Sequence, residues 1–110
     1  MPMKSDERKL RRMARYLVEA RRVVTIYKFQ KSEQYLNGYS DSDWAGCRRT
    51  ARSTSGGAIL RGGHCLKTWS SSQKNITLSS GEAEFVAAVK MSTELLGLLQ
   101  LVADWGLHLE

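Results

Sequence analysis

The sequence has little of what marks a disordered, secreted or membrane-spanning chain. Its 110 residues contain a single proline and no excess of glycine or glutamine, so the composition does not predict disorder. The longest uninterrupted apolar run is far shorter than the roughly 20 residues that cross a bilayer. The N-terminal residues MPMKSDERK lack the apolar core of a signal peptide. We therefore expect one small folded domain, intracellular and without a membrane partner.

Cysteine is also scarce. Cys47 and Cys65 are the only two, and neither has a second cysteine at the spacing of a CxxC pair. This count excludes both a disulfide framework and a cysteine-based zinc pattern. We expect two free thiols, each buried as a small apolar side chain.

What the sequence does have is positive charge at one end. Residues 1–31 contain ten of the 17 lysines and arginines, whereas residues 32–110 contain seven basic and eight acidic side chains. A segment this basic would meet a polyanionic partner. The residues expected to contact nucleic acid are Arg8, Arg11, Arg12, Arg15 and Arg22.

The same segment carries an apolar repeat with helical spacing. Its members are Leu10, Met13, Ala14, Leu17 and Val18. The spacing predicts a helix from about Asp6 to Arg21, capped by Ser5. Two roles remain open for the basic residues of this helix. They contact phosphates, or they only keep the helix soluble while the apolar stripe packs against the rest of the domain.

Further along the chain, the pattern changes to that of strands. Runs of β-branched and aromatic residues predict strands from Val23 to Phe29 and from Tyr35 to Trp44. A hairpin that turns at Arg61–Gly63 follows, and a long helix begins after Ser79 and stops at Gly106. The order of helix, strand, strand, hairpin and helix indicates an α/β chain in an α+β arrangement.

Four acidic residues lie where these elements should be buried. Asp41 and Asp43 share one face of the second strand, and Glu82 and Glu84 lie in the first turns of the long helix. A buried carboxylate needs a partner charge or a metal ion, and hard ions such as Mg²⁺ take oxygen ligands. Glu82 already has a structural role, because it stands three residues after Ser79 in a capping box.

Glu84 has no such role and heads a stripe at helical spacing. The other members of this stripe are Ala87, Ala88, Met91 and Leu95. Small residues beside an acid would let the helix approach the sheet closely and bring Glu84 towards a strand aspartate. We therefore favour Glu84 over Glu82. Either Asp41 or Asp43 would be the strand ligand, and the other would hold the strand end through backbone hydrogen bonds.

Three motifs in order carry a resemblance to a known family: YSDSDWAG, RSTSG and WSSSQKNITLSSGEAEF. They resemble the ribonuclease H domain of copia-type LTR retrotransposon polyproteins, over about residues 39–101. The resemblance implies a ribonuclease H-like fold, with residues 32–110 as the N-terminal half of the domain. Residues 1–31 would be a basic connector helix and a strand that join it to the reverse transcriptase region of the same polyprotein.

The resemblance also implies a reaction, the hydrolysis of the RNA strand of RNA–DNA hybrids during reverse transcription. Two Mg²⁺ ions, or Mn²⁺ in their place, would be held by acidic side chains. Position by position, it implies Asp41 and Glu84 as catalytic residues and metal ligands, with Asp43 and Glu82 as the second choice. The implied partners are the hybrid or other nucleic acid and the reverse transcriptase region. The implied location is a cytoplasmic retrotransposon particle or the nucleus.

The family has further catalytic positions that this sequence does not match. They are a third aspartate on the strand after the long helix, and a fourth acid with a nearby histidine. The sequence ends at Glu110, before such a strand, so we expect the chain to be inactive alone. His64 and His108 are expected to be exposed or packed rather than catalytic.

Two other classes of function remain open. One is a non-specific nucleic-acid-binding module that uses the basic helix, and its affinity would depend on salt but not on Mg²⁺. The other is a structural fragment that assembles with the missing half of the domain through an open sheet edge.

Overall fold

The computed structural model describes residues 3–22 and 24–109. In these ranges the chain is an α+β arrangement of two helices and one three-stranded antiparallel sheet. The elements in chain order are α1 (Lys4–Glu19), β1 (Asn37–Asp43), β2 (Thr54–Arg61), β3 (His64–Ser72) and α2 (Ser80–Asp104). The strand order β1-β2-β3 makes β1 and β3 the edges of this sheet.

Helix α1 starts earlier than the apolar spacing predicts. Its N-terminal boundary residue is Met3, whose backbone N–H donates to Asp6 Oδ2 at 3.0 Å. The predicted cap at Ser5 is wrong, because the Asp6 carboxylate satisfies this N–H and draws Ser5 into the first turn. The helix ends at Glu19, so Arg21 lies beyond its last turn.

The apolar stripe of α1 is exposed. Leu10, Met13, Leu17 and Val18 keep 57% to 65% of their surface accessible. Within the described residues, α1 packs against neither the sheet nor α2. The stripe is therefore not part of the domain core in this structure.

The connector between α1 and β1 forms no strand over residues 24–36. The predicted strand from Val23 to Phe29 is therefore wrong, and Val23 itself lies outside the described residues. Side chains tie the connector to the hairpin instead of a backbone ladder. Gln30 Nε2 donates to Arg61 O, and Gln30 Oε1 accepts from Gly63 N, both at 2.9 Å. Strand propensity depends on an available pairing edge, and this segment crosses the hairpin turn rather than following an edge.

Strands β2 and β3 form the predicted hairpin. Gly62 lies in its turn with φ of +58°, a conformation that glycine adopts without strain. On the other side, β2 pairs antiparallel with β1, with Gly38 opposite Ile59. Opposite residues in such a pair share a face of the sheet. Ile59 is fully buried, so this face is the inner one.

Helix α2 begins and ends at its predicted signals. Ser79 Oγ accepts from Glu82 N at 3.2 Å, and Glu82 Oε2 accepts from Leu78 N at 2.6 Å. The carboxylate thus reaches one residue further back than a capping box that closes on Ser79. At the other end, Gly106 adopts φ of +77° and closes the helix in a Schellman motif.

The buried stripe of α2 contains Ala87 and Met91, as predicted, but it begins at Ala83 instead of Glu84. Ala83, Ala87 and Met91 are buried, whereas Glu84 and Ala88 are exposed. Steps of four residues from Ala83 keep two small side chains and one flexible side chain inward and the acid outward.

Among the described residues, α2 is the one helix long and apolar enough to cross a membrane, with a mean hydropathy of 1.5 over its most apolar stretch.

Hydrogen-bonded polar side chains complete a thin apolar core. Ser53, Ser55, Gln73 and Thr77 are all buried. Ser53 Oγ lies 2.8 Å from Thr77 Oγ1 and also accepts from Ala45 N at 3.1 Å. Buried polar groups are tolerated where they find partners. This cluster therefore joins the start of β2 to the loops on either side of the sheet.

Both cysteines are free, as predicted, but neither is buried. Cys47 is half-buried and Cys65 is exposed. The prediction of buried thiols is wrong because Cys47 lies in the β1–β2 connection and Cys65 lies on the edge strand β3.

We expect Ser53→Ala to lower the free energy of unfolding by about 1–3 kcal/mol, because it removes the partner of the Ala45 N–H and of the Thr77 hydroxyl. Ser70→Ala is the matched control, since Ser70 is exposed on β3, and it should change stability by less than about 0.5 kcal/mol. Urea denaturation followed by circular dichroism measures both. Equal stabilities of the two variants would contradict the role given to the buried cluster.

Candidate functional site

The N-terminal end of α2 lies next to the end of β1 that carries the two aspartates. Gln73 joins the first turn of the helix to β2, because its Nε2 donates to Ser55 Oγ and to Ala83 O, both at 2.9 Å. Ser55 pairs with Ser42 in the β1–β2 register. Ser42 is the residue between the two aspartates, so the start of α2 and the aspartates share one end of the sheet.

Gly38, near the other end of β1, shows which face of this strand meets α2. A Cβ atom at Gly38 would lie 2.7 Å from Met91 Sδ and 2.7 Å from Leu95 Cδ1, so glycine is needed for this close approach. Side chains alternate between the two faces along a strand. Asp41 and Asp43 stand an odd number of positions from Gly38 and therefore lie on the face opposite α2.

The two aspartates differ in their surroundings, although both are exposed. Asp41 lies within β1, opposite Gly56 of β2. Asp43 ends the strand, and its carboxylate packs against Gly46 so closely that a Cβ atom there would collide with it. Asp43 thus shapes the turn after β1, whereas Asp41 has no such contact among the described residues.

The two glutamates also differ. Glu82 Oε2 is occupied by the Leu78 N–H, one residue before the N-cap Ser79. Glu84 is exposed and makes no hydrogen bond or ion pair within the described part of the chain. Glu84 is therefore the carboxylate of α2 that is available to a ligand.

The structure brings Asp41 and Glu84 to the same end of the sheet without joining them. Within residues 3–22 and 24–109, no group of three or more His, Cys, Asp or Glu side chains could hold a metal ion. The aspartates and Glu84 lie on opposite faces of the sheet, so their carboxylates can meet only around the open edge formed by β1. The described acids therefore do not form a complete metal site by themselves, and the pairing of Asp41 with Glu84 stays a prediction.

The histidines lie away from this end of the sheet. His64 Nε2 is 2.8 Å from Lys28 O, so the ring fastens the connector to the start of β3. The Tyr27 ring meets it edge-on, with 5.2 Å between the ring centroids. His108 is exposed after the end of α2.

The basic residues predicted to contact nucleic acid lie on α1 and just after it. All of them are exposed: Arg8, Arg11, Arg12, Arg15 and Arg22. Among these five, Arg11 alone has an acidic partner in the described structure, with Nη2 at 2.8 Å from Glu7 Oε1. An exposed pair of this kind contributes little to stability. The group therefore keeps most of its positive charge for an external partner.

One thiol near the aspartates is electrostatically perturbed. Hydrogen bonds from Thr50, first from its side chain and then from its backbone, lower the pKa of the Cys47 thiol below its ordinary value. The backbone of Arg49 and its positive charge act in the same direction. Cys47 therefore carries more thiolate at neutral pH than an isolated cysteine does.

Two residues of this region had no predicted role. Gln73 links the sheet to α2, and Lys90 of α2 donates to Ser71 Oγ at 2.6 Å. A sequence signal exists for both. Gln73 lies inside the WSSSQKN motif, and Lys90 is the single basic residue in the 25 residues of α2.

Comparison with curated proteins finds polyproteins of plant transposons. The chain is 31% identical, over 109 residues or 99% of its length, to the Retrovirus-related Pol polyprotein from transposon RE1 of Arabidopsis thaliana. It is 34% identical, over 80 residues or 73% of its length, to the Retrovirus-related Pol polyprotein from transposon TNT 1-94 of Nicotiana tabacum. The chain spans 7% and 6% of the length of these two polyproteins.

A relative of a different description is the Secreted RxLR effector protein 161 of Plasmopara viticola. It is 35% identical over 89 residues, which make up 81% of this chain and 62% of that protein. No family model matches the chain, and no solved structure matches it. The sequence similarity makes this chain a homologue of retrovirus-related Pol polyproteins from plant transposons.

Proposed function

We propose that the chain is part of a ribonuclease H-like domain of a retrotransposon polyprotein, which hydrolyses the RNA strand of RNA–DNA hybrids. Similarity to transposon Pol polyproteins supports a retrotransposon-related function. The observation that carries the finer proposal is the position of the first turn of α2 beside the Asp41 end of β1. It brings an acid of a helix and an acid of a strand to one end of the sheet.

The four carboxylates would divide into two pairs. Asp41 and Glu84 would bind Mg²⁺ or Mn²⁺ at the open edge of β1, because neither is used elsewhere in the described structure. Asp43 and Glu82 would position them, through the turn at Gly46 and the cap of α2. The chemistry that two bound magnesium ions would supply there is activation of a water molecule and stabilisation of the leaving oxygen. The remaining ligands would come from other parts of the polyprotein, of which this chain spans 6–7%.

We expect weak Mn²⁺ binding centred on Asp41. Paramagnetic broadening of amide signals should be strongest around Asp41 and Glu84, because these two carboxylates have no internal partner. Asp41→Asn and Glu84→Gln should each abolish the broadening, whereas the matched variant Glu82→Gln should keep it. Broadening that survives Asp41→Asn but disappears in Asp43→Asn would show that the wrong aspartate was chosen.

We also expect no cleavage of RNA–DNA hybrids by this chain alone with Mg²⁺ or Mn²⁺. The physical reason is that fewer than three acids converge within residues 3–22 and 24–109, whereas a two-ion site needs several shared carboxylates. A fluorescent hybrid cleavage assay measures this. Metal-dependent cleavage that is lost in Asp41→Asn would contradict the prediction.

A second activity, non-specific nucleic-acid binding, is favoured by the exposure of α1. By the 100° step of an α-helix, Arg8, Arg12 and Arg15 lie across the helix from Leu10 and Leu17, and Arg11 lies at the border of the apolar stripe. The basic side would contact phosphates, and the stripe around Met13 and Leu17 would pack against the reverse transcriptase region. This arrangement would use both exposed sides of a helix that packs on no other element here.

Replacement of Arg8, Arg11, Arg12 and Arg15 by glutamine tests this activity. Each lost phosphate contact should reduce the slope of log affinity against log salt by about 0.7–0.9. Glutamine keeps most of the helix propensity of arginine, so the fold should persist by circular dichroism. Fluorescence anisotropy with labelled hybrid, single strand and duplex gives the slopes. Unchanged affinity and slope would mean that α1 is not the nucleic-acid contact.

A further inference from the structure

The two edges of the sheet differ in how far they are closed to another strand. β3 pairs with β2 through an irregular register, and the connector covers its start, where His64 Nε2 lies 2.8 Å from Lys28 O. Lys67 of β3 lies opposite the buried Ile59 and brings a charge to the inner face. Irregularities and inward charges keep other strands from an edge. β1 has neither, and within the described residues no strand pairs with its free side.

The residues of β1 are complementary to a second, antiparallel copy of the same strand. A pairing centred on Ser40 uses all seven residues of the strand. Tyr39 then lies opposite Asp41 of the second copy. Asn37 lies opposite Asp43, so no carboxylate faces another directly. A pairing centred on Asp41 would oppose two carboxylates, which is destabilising, and one centred on Tyr39 would leave two residues of the strand unpaired.

Helix α2 turns an apolar side towards the free edge of β1. Lys90 and Glu94 reach β3 on one flank of the helix. Met91 and Leu95 lie against Gly38 of β1. By the 100° step of an α-helix, the next side in this direction extends beyond β1. We call it the Ala88 side, and it is formed by Ala88, Ser92, Leu95 and Leu99.

The Ala88 side can be buried without leaving a polar group unpaired. Ala88 and Ser92 are exposed, and Leu95 and Leu99 are half-buried. Ser92 Oγ donates to Ala88 O at 3.1 Å, so this hydroxyl already has a partner inside the helix. Burial of a hydrogen-bonded polar group is tolerated. Paired residues share a face of a sheet, so both helices would lie on one face, with their Ala88 sides towards each other.

The two helices would cross near Ala88. Met91 contacts β1 near one end of the strand, and Ala83 lies at the level of the other end. Ser40 lies between these ends, so a two-fold axis through Ser40 passes close to Ala88. The small side chain allows the helix axes to approach to about 8–10 Å. The two Glu84 side chains would be about 12 Å apart along the axes and stay at the rim.

The size of this interface corresponds to a weak but specific dimer. β1 is about 24 Å long. The sheet and one layer of helix together are about 20 Å thick. These dimensions give about 500 Å² for each chain and about 1,000 Å² in total, which is the lower limit for a specific interface. We therefore expect reversible association instead of a permanent dimer.

We propose that the chain forms a homodimer in which β1 pairs with β1 of a second copy. The two sheets join into one of six strands, and the Ala88 sides pack on each other. The main cost is repulsion on the outer face, where the two Asp41 carboxylates are diagonal neighbours at roughly 7–8 Å. Salt screens repulsion between exposed charges. Dimerisation should therefore strengthen as salt rises, whereas contacts of α1 with phosphates weaken.

Dimerisation would also regulate the carboxylate site. Asp41 and Glu84 of one chain can meet only around the free edge of β1, and the second copy occupies that edge. The dimer and a metal ion held by these two residues would therefore exclude each other. This consequence rests on the proposed function, whereas the pairing of β1 does not.

Sedimentation velocity of the whole chain in EDTA tests the dimer, between about 1 µM and about 1 mM, where weak interfaces associate. We expect a monomer–dimer equilibrium that shifts towards dimer as salt rises. Ala88→Arg places two like charges at the helix crossing and should weaken the dimer at least about tenfold. Thr93→Arg is the matched control, because Thr93 is exposed on another side of α2, and it should have little effect. A chain that stays monomeric, or equal effects of both variants, would overturn the proposal.

Cross-linking tests the register. In a background of Cys47→Ser and Cys65→Ser, Ser40→Cys should form an intermolecular disulfide with oxidised glutathione, because directly opposite Cβ atoms lie about 4.5–5.5 Å apart. Asn37→Cys is the matched control, since the register places this position opposite Asp43 and far from its own copy. Cross-linking of both variants at equal rates would indicate random collisions and overturn the register.

The cross-linked dimer also tests the exclusion of metal. Mn²⁺ should broaden the Glu84 amide signal in the monomeric Ala88→Arg variant but not in the Ser40→Cys dimer, and equal broadening would overturn the exclusion. Failure of the two proposals is distinguishable. A dimer whose monomer binds no Mn²⁺ would contradict the proposed function alone, whereas a chain that binds Mn²⁺ but never dimerises would contradict the pairing of β1 alone.

Discussion

The close approach of α2 to the sheet is the contact on which the rest of the structure depends. It is possible because the surfaces that meet are made of small side chains: Gly38 on β1, and Ala83 and Ala87 on the helix. Dispersion forces fall off steeply with distance, so a helix that sits close gains contact along its length. The same closeness fixes the position of Glu84 relative to Asp41. A larger side chain at Gly38 would move the helix and the glutamate together.

Small residues leave little apolar surface to bury, so hydrogen bonds contribute a part of what holds α2 on the sheet. Ile59 is the one large apolar side chain that is fully buried among the described residues. Gln73 compensates by bonding to β2 and to the first turn of α2 at once. Bonds of this kind have strict geometry, so they specify one position of the helix more sharply than apolar contact does. The end of α2 that carries Glu82 and Glu84 is also the end that Gln73 fixes.

Capping and turn chemistry predicted element ends well at three places, although the predicted cap of α1 at Ser5 was wrong. The Ser79 cap, the glycine stop at Gly106 and the turn at Gly62 all lie where their residue types indicate. Signals based on propensity alone were weaker. The β-branched run after α1 forms no strand, because its backbone is held by Gln30 and His64 across the hairpin instead of by a neighbouring strand.

The buried stripe of α2 and the role of Gln73 could not be predicted from spacing. Both stripes, one through Glu84 and one through Ala83, fit a helical period. The spacing predicts Ala87 and Met91 correctly, but it does not decide whether Ala83 or Glu84 is the first buried residue. The position of the acids along the helix was predictable, but the faces of the sheet on which they lie were not. The face on which each acid lies depends on which side of β1 the helix covers, and the sequence pattern does not specify this.

The distribution of charge along α2 restricts where chemistry can occur on this helix. Its three glutamates and its single lysine all lie in the first 15 residues, and the stretch after them is apolar except for Gln100 and the terminal Asp104. A helix that is apolar over much of its circumference is typical of one that packs on more than one side. The sheet covers one side of α2, and outer residues such as Phe85 and Leu96 remain exposed. The charged first half of α2 therefore lies beside the Asp41 end of β1, whereas the second half leaves apolar side chains such as Leu96 exposed.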